Sequence, residues 1–319
     1  KKSGIMRMKS IFRHETILFL VVIVALVILS IQAEQFATID NLLNQGRFLT
    51  EVSLVALIMT FVIVTGGIDL SVGSILGLSA IVLGVAWKKL GLPLPLAILV
   101  ALSVGTLAGL FNGIIITRFK VPPLIATLAT LALYRGLAEG ISQARSIRGY
   151  PEWFFILGQG EFFGIPTQLW IVAFFTLLTG FILTYTTWGR ATYAIGANET
   201  AARFSGIAVD KTKLFIYAAS GFAASLAAII FVSRVSTTRS DMGMGLELDA
   251  ITAVVLGGTS IFGGKGTIVG TFFGLILIQI LKNGLSLAGV KSDGTYIAIG
   301  LVLILTLLIS NLFNRNSEG

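Results

Sequence analysis

The chain has 319 residues, with no cysteine and a single histidine. Without cysteine, disulfides, zinc–thiolate sites and iron–sulfur clusters are excluded. His14 lies in a basic N-terminal segment, where a surface position is expected rather than a role as a metal ligand. Charged residues are also scarce, at 12% of the chain. The sequence therefore has few of the side chains on which metal centres depend.

Apolar residues are abundant instead: 55% of the chain is hydrophobic, and the mean hydropathy is +0.93. Many apolar runs reach about 17–25 residues, enough to cross a hydrocarbon core about 30 Å thick. The formal net charge of +8 is not accompanied by a basic stripe with interleaved aromatics, which argues against nucleic-acid binding. Excess Lys and Arg is typical of the cytoplasmic loops of membrane proteins. The composition predicts an all-α integral membrane protein.

The apolar runs predict about ten transmembrane helices within a single domain covering residues 1–319. The expected spans are 16–33, 50–66, 68–87, 94–117, 121–141, 167–187, 213–233, 248–263, 266–288 and 294–313. Two of them are candidates for partial, re-entrant or tilted helices. These are the fifth span, which contains Arg135 and Glu139, and the short eighth span.

The N-terminal segment resembles a signal peptide, because basic residues 1–13 precede the apolar stretch Thr16–Ser30. No clear small-residue cleavage site follows and further spans do, so a retained first helix is expected. With the N-terminus inside, 13 of the 23 Lys and Arg residues fall on inner loops and 9 on outer ones. This bias has the sign expected of cytoplasmic loops. An even number of spans then places both termini in the cytoplasm.

A polar segment, Val64–Ser74, separates the apolar runs Val52–Val64 and Ile75–Trp87. A charge at the centre of a membrane helix costs about 2.5–3.5 kcal/mol, and irregular backbone at that depth persists only where it is buried in protein or lines a wet cavity. Asp69 therefore suggests a translocation path. The alternative is a helix N-terminus capped by Asp69 or Ser71. The two interpretations are compatible, because many transporters build polar sites from broken helices.

The glycines also show a weak internal similarity. The segment Gly66–Gly73 begins with two glycines and ends with a third, and Gly257–Gly264 repeats that spacing. Two such breaks in separate halves are expected of a duplicated transporter core with its path between the halves. Chance similarity between glycine-rich segments is the alternative. Glycines four residues apart also favour close helix packing, and they occur at Gly73/Gly77, Gly105/Gly109/Gly113, Gly136/Gly140 and Gly266/Gly270/Gly274.

Enzymatic motifs are lacking. The sequence has no HExxH, no GxSxG and no GxGxxG that follows a strand. The segment Gly263–Gly266 is not a phosphate-binding loop, because Thr259 stands where its first glycine belongs and Gly266 where a Ser or Thr would bind magnesium. We therefore expect a non-catalytic protein that does not hydrolyse ATP by itself.

Residues 188–213 form the longest cytoplasmic loop on the charge count. Within it, Glu199–Arg203 has helix-forming character, Gly196 and Gly206 bracket it as helix breakers, and Asn198 can cap its start. A short rigid helix projecting from a bundle is suited to dock in a partner's groove. The alternative is a solvated connecting loop.

Three separated motifs resemble, in order, the permease subunit of ribose-type sugar ABC importers, a family that includes ribose, xylose, rhamnose and autoinducer-2 permeases. They are Thr65–Ser74, Gly189–Gly206 and Glu247–Ser260, continued by Gly263–Thr271, within a similarity running from about Phe36 to about Leu312. The resemblance implies a second permease copy or a related permease, two cytoplasmic ATP-binding subunits and an extracytoplasmic solute-binding protein. ATP and magnesium would belong to the ATP-binding subunits, with no cofactor in this chain. The implied location is the bacterial cytoplasmic (inner) membrane.

The resemblance extends to the family's coupling segment, which has the form Gly-Asn-Glu-Ala-Ala. Residues Ala197–Ala201 differ from it only at Ala197 and Thr200, two small changes that leave docking intact as an expectation. The residues expected to couple the chain to an ATPase are Gly196, Asn198, Glu199, Arg203 and Gly206. Residues 126–136 and 239–241 look closer to rhamnose or autoinducer-2 permeases than to ribose permeases.

The function expected is translocation of a monosaccharide or sugar-like solute into the cytoplasm, with specificity largely set by the binding protein. Candidate path-lining residues are Asp69, Ser71, Thr252 and Thr259. Candidate residues for docking the binding protein are Arg239, Asp241, Glu247 and Asp249, since rim charges steer encounters. The competing hypothesis is a self-sufficient secondary transporter or channel that uses Glu51, Asp69 or Glu139 as a proton or cation site. An intramembrane enzyme would need a nucleophile–base set that the sequence does not supply.

Overall fold

The structure is a computed structural model that describes residues 2–32, 35–291, 294, 295, 297–301 and 304. Helices make up most of it: α1 Lys2–Gln32, α2 Ile39–Val64, α3 Val72–Lys88, α4 Leu94–Arg118, α5 Pro123–Ser142, a 3-10 turn Glu152–Phe155, α6 Ile156–Gln159, α7 Thr167–Tyr185, α8 Thr187–Ala197, α9 Glu199–Phe204, α10 Val209–Val235, α11 Leu246–Leu256 and α12 Ile268–Leu287. Short strands lie between them: β1 Ile147–Arg148, β2 Glu161–Phe162, β3 Ile165–Pro166 and β4 Thr237–Thr238. Strand β1 pairs with β4 and β2 with β3, both antiparallel.

Six helices among the described residues are long and apolar enough to cross a membrane, namely α2, α4, α5, α7, α10 and α12. They match the second, fourth, fifth, sixth, seventh and ninth predicted spans. Two shorter apolar helical stretches, Leu18–Ile31 within α1 and the whole of α3, match the first and third. The all-α membrane fold is confirmed, whereas the count of ten spans is not. The predicted span 294–313 lies largely outside the described residues.

The predicted eighth span, 248–263, extends too far, because α11 ends at Leu256. The chain turns at Gly258, whose φ of +89° suits glycine. The Gly258 N–H donates to the carbonyl of Val255 at 2.9 Å, and the Thr259 N–H to that of Val254 at 3.2 Å. This bonding pattern satisfies the last carbonyls of a helix and ends it. The eighth element is thus a partial helix, one of the forms the sequence left open.

Helix α2 lies at the centre of the bundle. In its most apolar stretch 78% of the residues are buried, against 22% for α7. Helices α7, α10, α11 and α12 all contact it. A helix that is apolar on every side is expected in such a position.

The glycine stripes explain how the neighbouring helices approach so closely. A Cβ on Gly105 of α4 would lie 2.8 Å from the carbonyl oxygen of Gly221 in α10, and a Cβ on Gly221 would lie 2.8 Å from the amide nitrogen of Gly109. Only glycine on both helices leaves room for this contact. Gly136 and Gly140 differ, because a Cβ on either would meet no described atom within 4 Å. Their stripe is therefore not used for packing within the described chain.

The two ends of α2 contact different parts of the chain. At its last residue the Val64 carbonyl accepts from the Gly264 N–H at 2.8 Å, close to Gly196 of α8. We call this the α9 end. Near its start, Arg47 donates to the carbonyl of Gln159 in α6 at 3.3 Å, and we call this the α6 end. A helix of 26 residues separates the two ends by about 39 Å.

Candidate functional site

The polar segment after α2 begins with a helix C-terminal motif. The Gly66 N–H donates to the Ile63 carbonyl at 2.8 Å and the Gly67 N–H to the Val62 carbonyl at 3.0 Å, while Gly66 has φ +78°. The same pair of bonds ends α11 at Gly258. The two breaks therefore share their local geometry. By these hydrogen bonds Gly66 corresponds to Gly258, whereas the glycine spacing of the sequence pairs Gly66 with Gly257.

Asp69 lies in the break between α2 and α3 and is fully buried. One carboxylate oxygen, Oδ1, accepts from the Ser71 N–H at 3.0 Å and from the Ser71 hydroxyl at 2.6 Å. The other, Oδ2, accepts from the Ser220 hydroxyl in α10 at 2.8 Å. These bonds satisfy a buried carboxylate and hold the start of α3. The capping alternative is met only in part: Asp69 holds the residue before α3 through a turn, but no described side chain caps the first turn of α3 itself.

Ser71 extends the same network into α4 and α5. Asn112 of α4 donates its side-chain amide to the Ser71 hydroxyl at 2.8 Å. The Tyr134 hydroxyl of α5 donates to the Ala108 carbonyl at 2.9 Å, close to the Asn112 amide oxygen. The break is therefore tied to three helices by polar side chains, and the candidate path residues Asp69 and Ser71 lie inside this network.

The starts of α3 and α11 meet about midway along α5. A Cβ on Gly73 would collide with the Glu247 carboxylate and the Gly243 carbonyl, so glycine is required at that contact. Arg135 of α5 donates to the Gly73 carbonyl at 3.2 Å and to the Met242 carbonyl at 3.0 Å, and also to the Ser240 carbonyl. Arg135 fixes the chain that leads into α11, and Asp69 does not pair with it.

The two threonine candidates for the path lie on and after α11. Thr252 is buried, and its hydroxyl donates to the Leu248 carbonyl at 2.6 Å in its own helix. Thr259 is also buried, and its hydroxyl has no partner within the described part of the chain. It packs against Gly266, which has φ +156°. Of the four path candidates, Thr259 is the one whose side chain forms no hydrogen bond to the described residues.

The segment 188–206 folds as two short helices joined at Asn198. The Asn198 side-chain oxygen accepts from the Ala201 N–H at 2.9 Å and caps α9, as predicted. At the other end Gly206 has φ +82°, and the Ile207 N–H bonds to the Ala202 carbonyl at 3.1 Å. The predicted cap at Asn198 and the predicted end at Gly206 are confirmed, whereas the prediction of Gly196 as a helix breaker is wrong, because Gly196 lies within α8, Thr187–Ala197. Phe204, the last residue of α9, is 89% exposed, so the helix presents an aromatic surface to its surroundings.

Ion pairs fix α9 to the start of α10. Glu199 accepts from Lys213 at 2.6 Å and from Arg203 at 2.9 Å, and Arg203 also bonds to Asp210 at 2.9 Å. Partial burial raises the pKa of Glu199, but the hydrogen bonds from Lys213 and Arg203 outweigh it and leave the pKa below its ordinary value. Hydrogen bonds to Asp210 and Glu199 raise the pKa of Arg203. Lys120 joins the cluster at 3.1 Å from Asp210.

The motifs that stand apart in the sequence meet at the α9 end. A Cβ on Gly196 would collide with the Val64 carbonyl oxygen and lie 2.5 Å from the Gly264 nitrogen. The Tyr193 hydroxyl donates to the Gly266 carbonyl at 2.6 Å. Helix α8 therefore contacts the end of α2 and the loop before α12, so a displacement of α8 would reach both breaks.

The residues expected to dock a binding protein are dispersed. Arg239 and Asp241 are exposed and pair with each other. Glu247 lies at the start of α11 against Gly73, and Asp249 pairs with Lys282 of α12 at 2.5 Å. The structure therefore places an exposed pair in the chain before α11 and two carboxylates on that helix.

The carboxylates on which a self-sufficient transporter would depend differ in burial and in pairing. Glu51 is 3% exposed and pairs with Arg234 at 2.8 Å, so its charge is compensated. Glu139 is exposed on the outward face of α5. Among the described residues there is also no group of three or more carboxylates or histidines that could hold a metal ion.

Sequence reasoning missed a chain of side-chain amides between α2 and α12. Asn41 and Asn283 exchange hydrogen bonds at 2.9 and 3.2 Å. Gln45 donates to Asn41 at 3.4 Å, and Gln279 donates to Gln45 at 2.7 Å. We call these four residues the amide ladder. Their signal was the spacing of four between Asn41 and Gln45, and between Gln279 and Asn283, which places each pair on one helix face.

Broken helices held inside an apolar bundle are typical of membrane transport proteins, and the comparisons agree with this class. The family model described as "Branched-chain amino acid transport system / permease component" matches residues 39–307. The chain belongs to this family of membrane permeases.

Three relatives illustrate where the chain lies within that family. The ribose import permease protein RbsC of Haemophilus influenzae is 40% identical over 297 residues, which cover 92% of each chain. RbsC of Bacillus subtilis is 42% identical over 294 residues and 91% of each chain. The autoinducer 2 import system permease protein LsrD of Escherichia coli O9:H4 (strain HS) is 40% identical over 263 residues, or 81% of this chain and 79% of the relative. No solved structure matches.

Proposed function

We propose that this chain is the permease subunit of an ATP-binding cassette importer that moves a monosaccharide or sugar-like solute into the cytoplasm. The observation that carries the proposal is the identity of 40% to a ribose import permease across 92% of both chains. At that level of coverage the aligned sequence includes both breaks, helix α9 and the spans between them. The similar identity to an autoinducer 2 permease keeps the proposal at the level of the solute class.

Helix α9 is the element proposed to dock into an ATP-binding subunit. It is short, capped by Asn198 and held by ion pairs to α10, and Phe204 is exposed at its end. A rigid projecting helix loses little conformational freedom on docking, which favours binding. The proposed coupling residues are Gly196, Asn198, Glu199, Arg203 and Gly206.

Movement of α9 would reach the interior by two routes. Lys213 connects Glu199 to α10, and Gly196 of α8 contacts Val64 and Gly264. Helix α10 in turn holds Asp69 through Ser220. Packed helices transmit small displacements because they are not continuously deformable. ATP binding and hydrolysis in the partner would thus alter the breaks before α3 and after α11.

Asp69, Ser71, Thr252 and Thr259 are proposed to flank the translocation path. The bonds of Asp69 and Ser71 support a role in holding the start of α3 beside that path. The hydroxyl of Thr259 has no partner among the described residues, which supports a more direct role, since an unpaired buried hydroxyl costs free energy unless a ligand or water satisfies it.

The proposed assembly contains a second permease copy or a related permease, two cytoplasmic ATP-binding subunits that hold ATP and magnesium, and an extracytoplasmic solute-binding protein. The chain would lie in the bacterial cytoplasmic membrane with both termini in the cytoplasm. Arg239, Asp241, Glu247 and Asp249 are proposed to serve the binding protein, and the exposure of the Arg239–Asp241 pair supports this for the first two.

The proposal is tested by ATP hydrolysis in the reconstituted importer. We expect sugar-loaded binding protein to stimulate hydrolysis by the wild-type complex, and to do so for ribose, rhamnose or the autoinducer-2 sugar derivative. An importer that responds to none of these, but responds to a branched-chain amino acid with its binding protein, would contradict the proposal.

A further inference from the structure

A polar cavity opens at the α6 end, between the first turns of α2, the end of α10 and α6. Its volume is about 650 Å³, within the range of about 300–1,000 Å³ typical of small-molecule sites. Four side-chain amides, two guanidinium groups and an aromatic ring line it: Asn41, Asn44, Gln45, Gln159, Arg47, Arg234 and Phe48. The function proposed above assigns no role to this cavity.

The amides give the cavity donors and acceptors in similar number. Each amide offers one carbonyl oxygen and two N–H donors. Asn44 is exposed, and Gln45 is half-buried at the edge of the amide ladder. Gln159 is held in place by its bonds to the Arg234 carbonyl at 3.0 Å and the Ser236 hydroxyl at 3.2 Å. Sugar hydroxyls both donate and accept, and such a lining matches them.

Each of the two positive charges that line the cavity is paired with a carboxylate. Arg47 pairs with Glu161 at 2.6 Å, and Arg234 pairs with Glu51 at 2.8 Å. A phosphate or carboxylate would need uncompensated positive charge to offset its desolvation. A cavity with two neutralised guanidinium groups therefore favours a neutral ligand over an anionic one.

Bonding capacity remains unused around the two arginines. The Nε of Arg47 is buried without a hydrogen-bond partner in the described part of the chain, and so is Oε2 of Glu51, behind Arg234. Buried polar atoms in folded proteins are nearly always paired. These two atoms are themselves buried, so a hydroxyl-bearing ligand would bond to the exposed amides of the lining and not to them.

Phe48 supplies an apolar face. The guanidinium of Arg234 lies 4.7 Å from the centroid of the Phe48 ring and 4.9 Å from that of Phe231. Stacking on two rings fixes the arginine. Phe48 is 49% exposed, so part of its surface remains available for the C–H face of a sugar ring.

We propose that this cavity is a low-affinity binding site for one neutral sugar ring, which the solute occupies at the α6 end of α2, opposite the docking helix. The inference rests on the proposed function. It adds a site within the permease where solute would be held after release from the binding protein.

The experiment measures saturation-transfer difference NMR signals from millimolar ribose, xylose and rhamnose. The sample is the permease with its ATP-binding subunits in phosphatidylcholine nanodiscs, without binding protein. The variants are Asn44→Ala and Gln45→Leu, and the control is Gln279→Leu. The control removes the same ladder bond between Gln279 and Gln45 but does not line the polar cavity.

We expect at least one sugar to give a signal with the wild type and with Gln279→Leu. In each cavity variant the apparent affinity should fall about three- to tenfold, the effect of losing one neutral hydrogen bond. Asn44 is exposed, so its replacement does not threaten folding. Unchanged unfolding temperatures would exclude misfolding of Gln45→Leu as the cause.

Three results would overturn the inference. The first is a wild type that binds none of the sugars, and the second is unchanged binding by both cavity variants. The third is sugar binding that disappears when phosphatidylglycerol replaces phosphatidylcholine, which would identify an anionic lipid headgroup as the occupant. ATP-driven sugar uptake measured on the same wild-type complex separates the two proposals. Uptake without binding in the cavity would contradict this site alone, whereas the absence of uptake would contradict the proposed function.

Discussion

The two ends of α2 differ in how their polar groups are satisfied. At the α9 end the backbone and charged groups are mostly bonded to each other, with the Thr259 hydroxyl an exception among the described residues: the Val64 carbonyl accepts from the Gly264 N–H, and ion pairs fix α9 to α10. At the α6 end a cavity of about 650 Å³ separates amides and arginines, and some of their bonding capacity is unused. A closed end can transmit displacement, whereas an open polar end can accept a ligand.

The largest expected effect concerns the break between α2 and α3, beside the α9 end. In Asp69→Leu, two hydroxyl groups and the N–H of Ser71 lose their acceptor inside the bundle. Each unsatisfied buried group costs about 1–3 kcal/mol. The free energy of unfolding in detergent should therefore fall by about 3 kcal/mol or more.

The matched control is Ser220→Ala, which removes only one of the three bonds and should cost less, about 1.5–3 kcal/mol for a single bond to a charged group. Equal stability of Asp69→Leu and wild type would show that the break does not depend on its carboxylate.

Next in size is Gly196→Ala, which places a methyl group against the Val64 carbonyl and the Gly264 nitrogen. Overpacking of this kind costs about 1–3 kcal/mol, and thermal unfolding of the purified complex should report it together with reduced transport. Gly136→Ala is the control, since its Cβ meets no described atom within 4 Å. Alanine there should be neutral or stabilising by up to about 1 kcal/mol. Equal losses from the two variants would contradict the close contact.

Arg203→Ala sharpens the contrast between stability and coupling. Its ion pairs are largely exposed, and such pairs contribute about 0–1 kcal/mol, so the unfolding temperature should change little. Transport and binding-protein-stimulated ATP hydrolysis should fall several-fold, because α9 loses its bonds to Asp210 and Glu199. Arg190→Ala removes the same charge from α8, outside this cluster, and should behave like wild type. If both variants transport equally well, coupling does not depend on the ion pairs.

The smallest effect is the titration of Glu199. Its pKa is lowered in the folded protein, so its contribution to stability is present above the ordinary pKa of about 4.3 for glutamate and is lost as pH falls through the folded value. The difference in unfolding temperature between wild type and Glu199→Gln should therefore be constant from about pH 5 to 7 and vanish at lower pH. A difference that grows as pH falls would have the wrong sign.

Interactions between residues close in sequence allowed much of the α9 end to be predicted. Asn198 caps α9, Gly206 ends it, and Asp69 holds Ser71 just before α3, because each of these interactions involves residues a few positions apart. Ser220 and Asn112, which complete the network, lie more than 40 positions from their partners, and nothing local marks them.

The amide ladder at the α6 end was missed for the same reason. The amide ladder joins α2 to α12, and each pair of amides has meaning only once those helices are neighbours. The end of α11 was placed too late, since the predicted span was carried on to Ile261 and Phe262, whereas Gly258 turns the chain two residues after Leu256. Hydrophobicity predicts where helices can lie, but the turn depends on two backbone hydrogen bonds.

The account predicts a gate that is moved by its partners, and uptake into proteoliposomes tests this most directly. Radiolabelled sugar should accumulate only when the permease, both ATP-binding subunits, ATP and sugar-loaded binding protein are present together. Accumulation by the permease alone, driven by a proton or sodium gradient, would contradict the account.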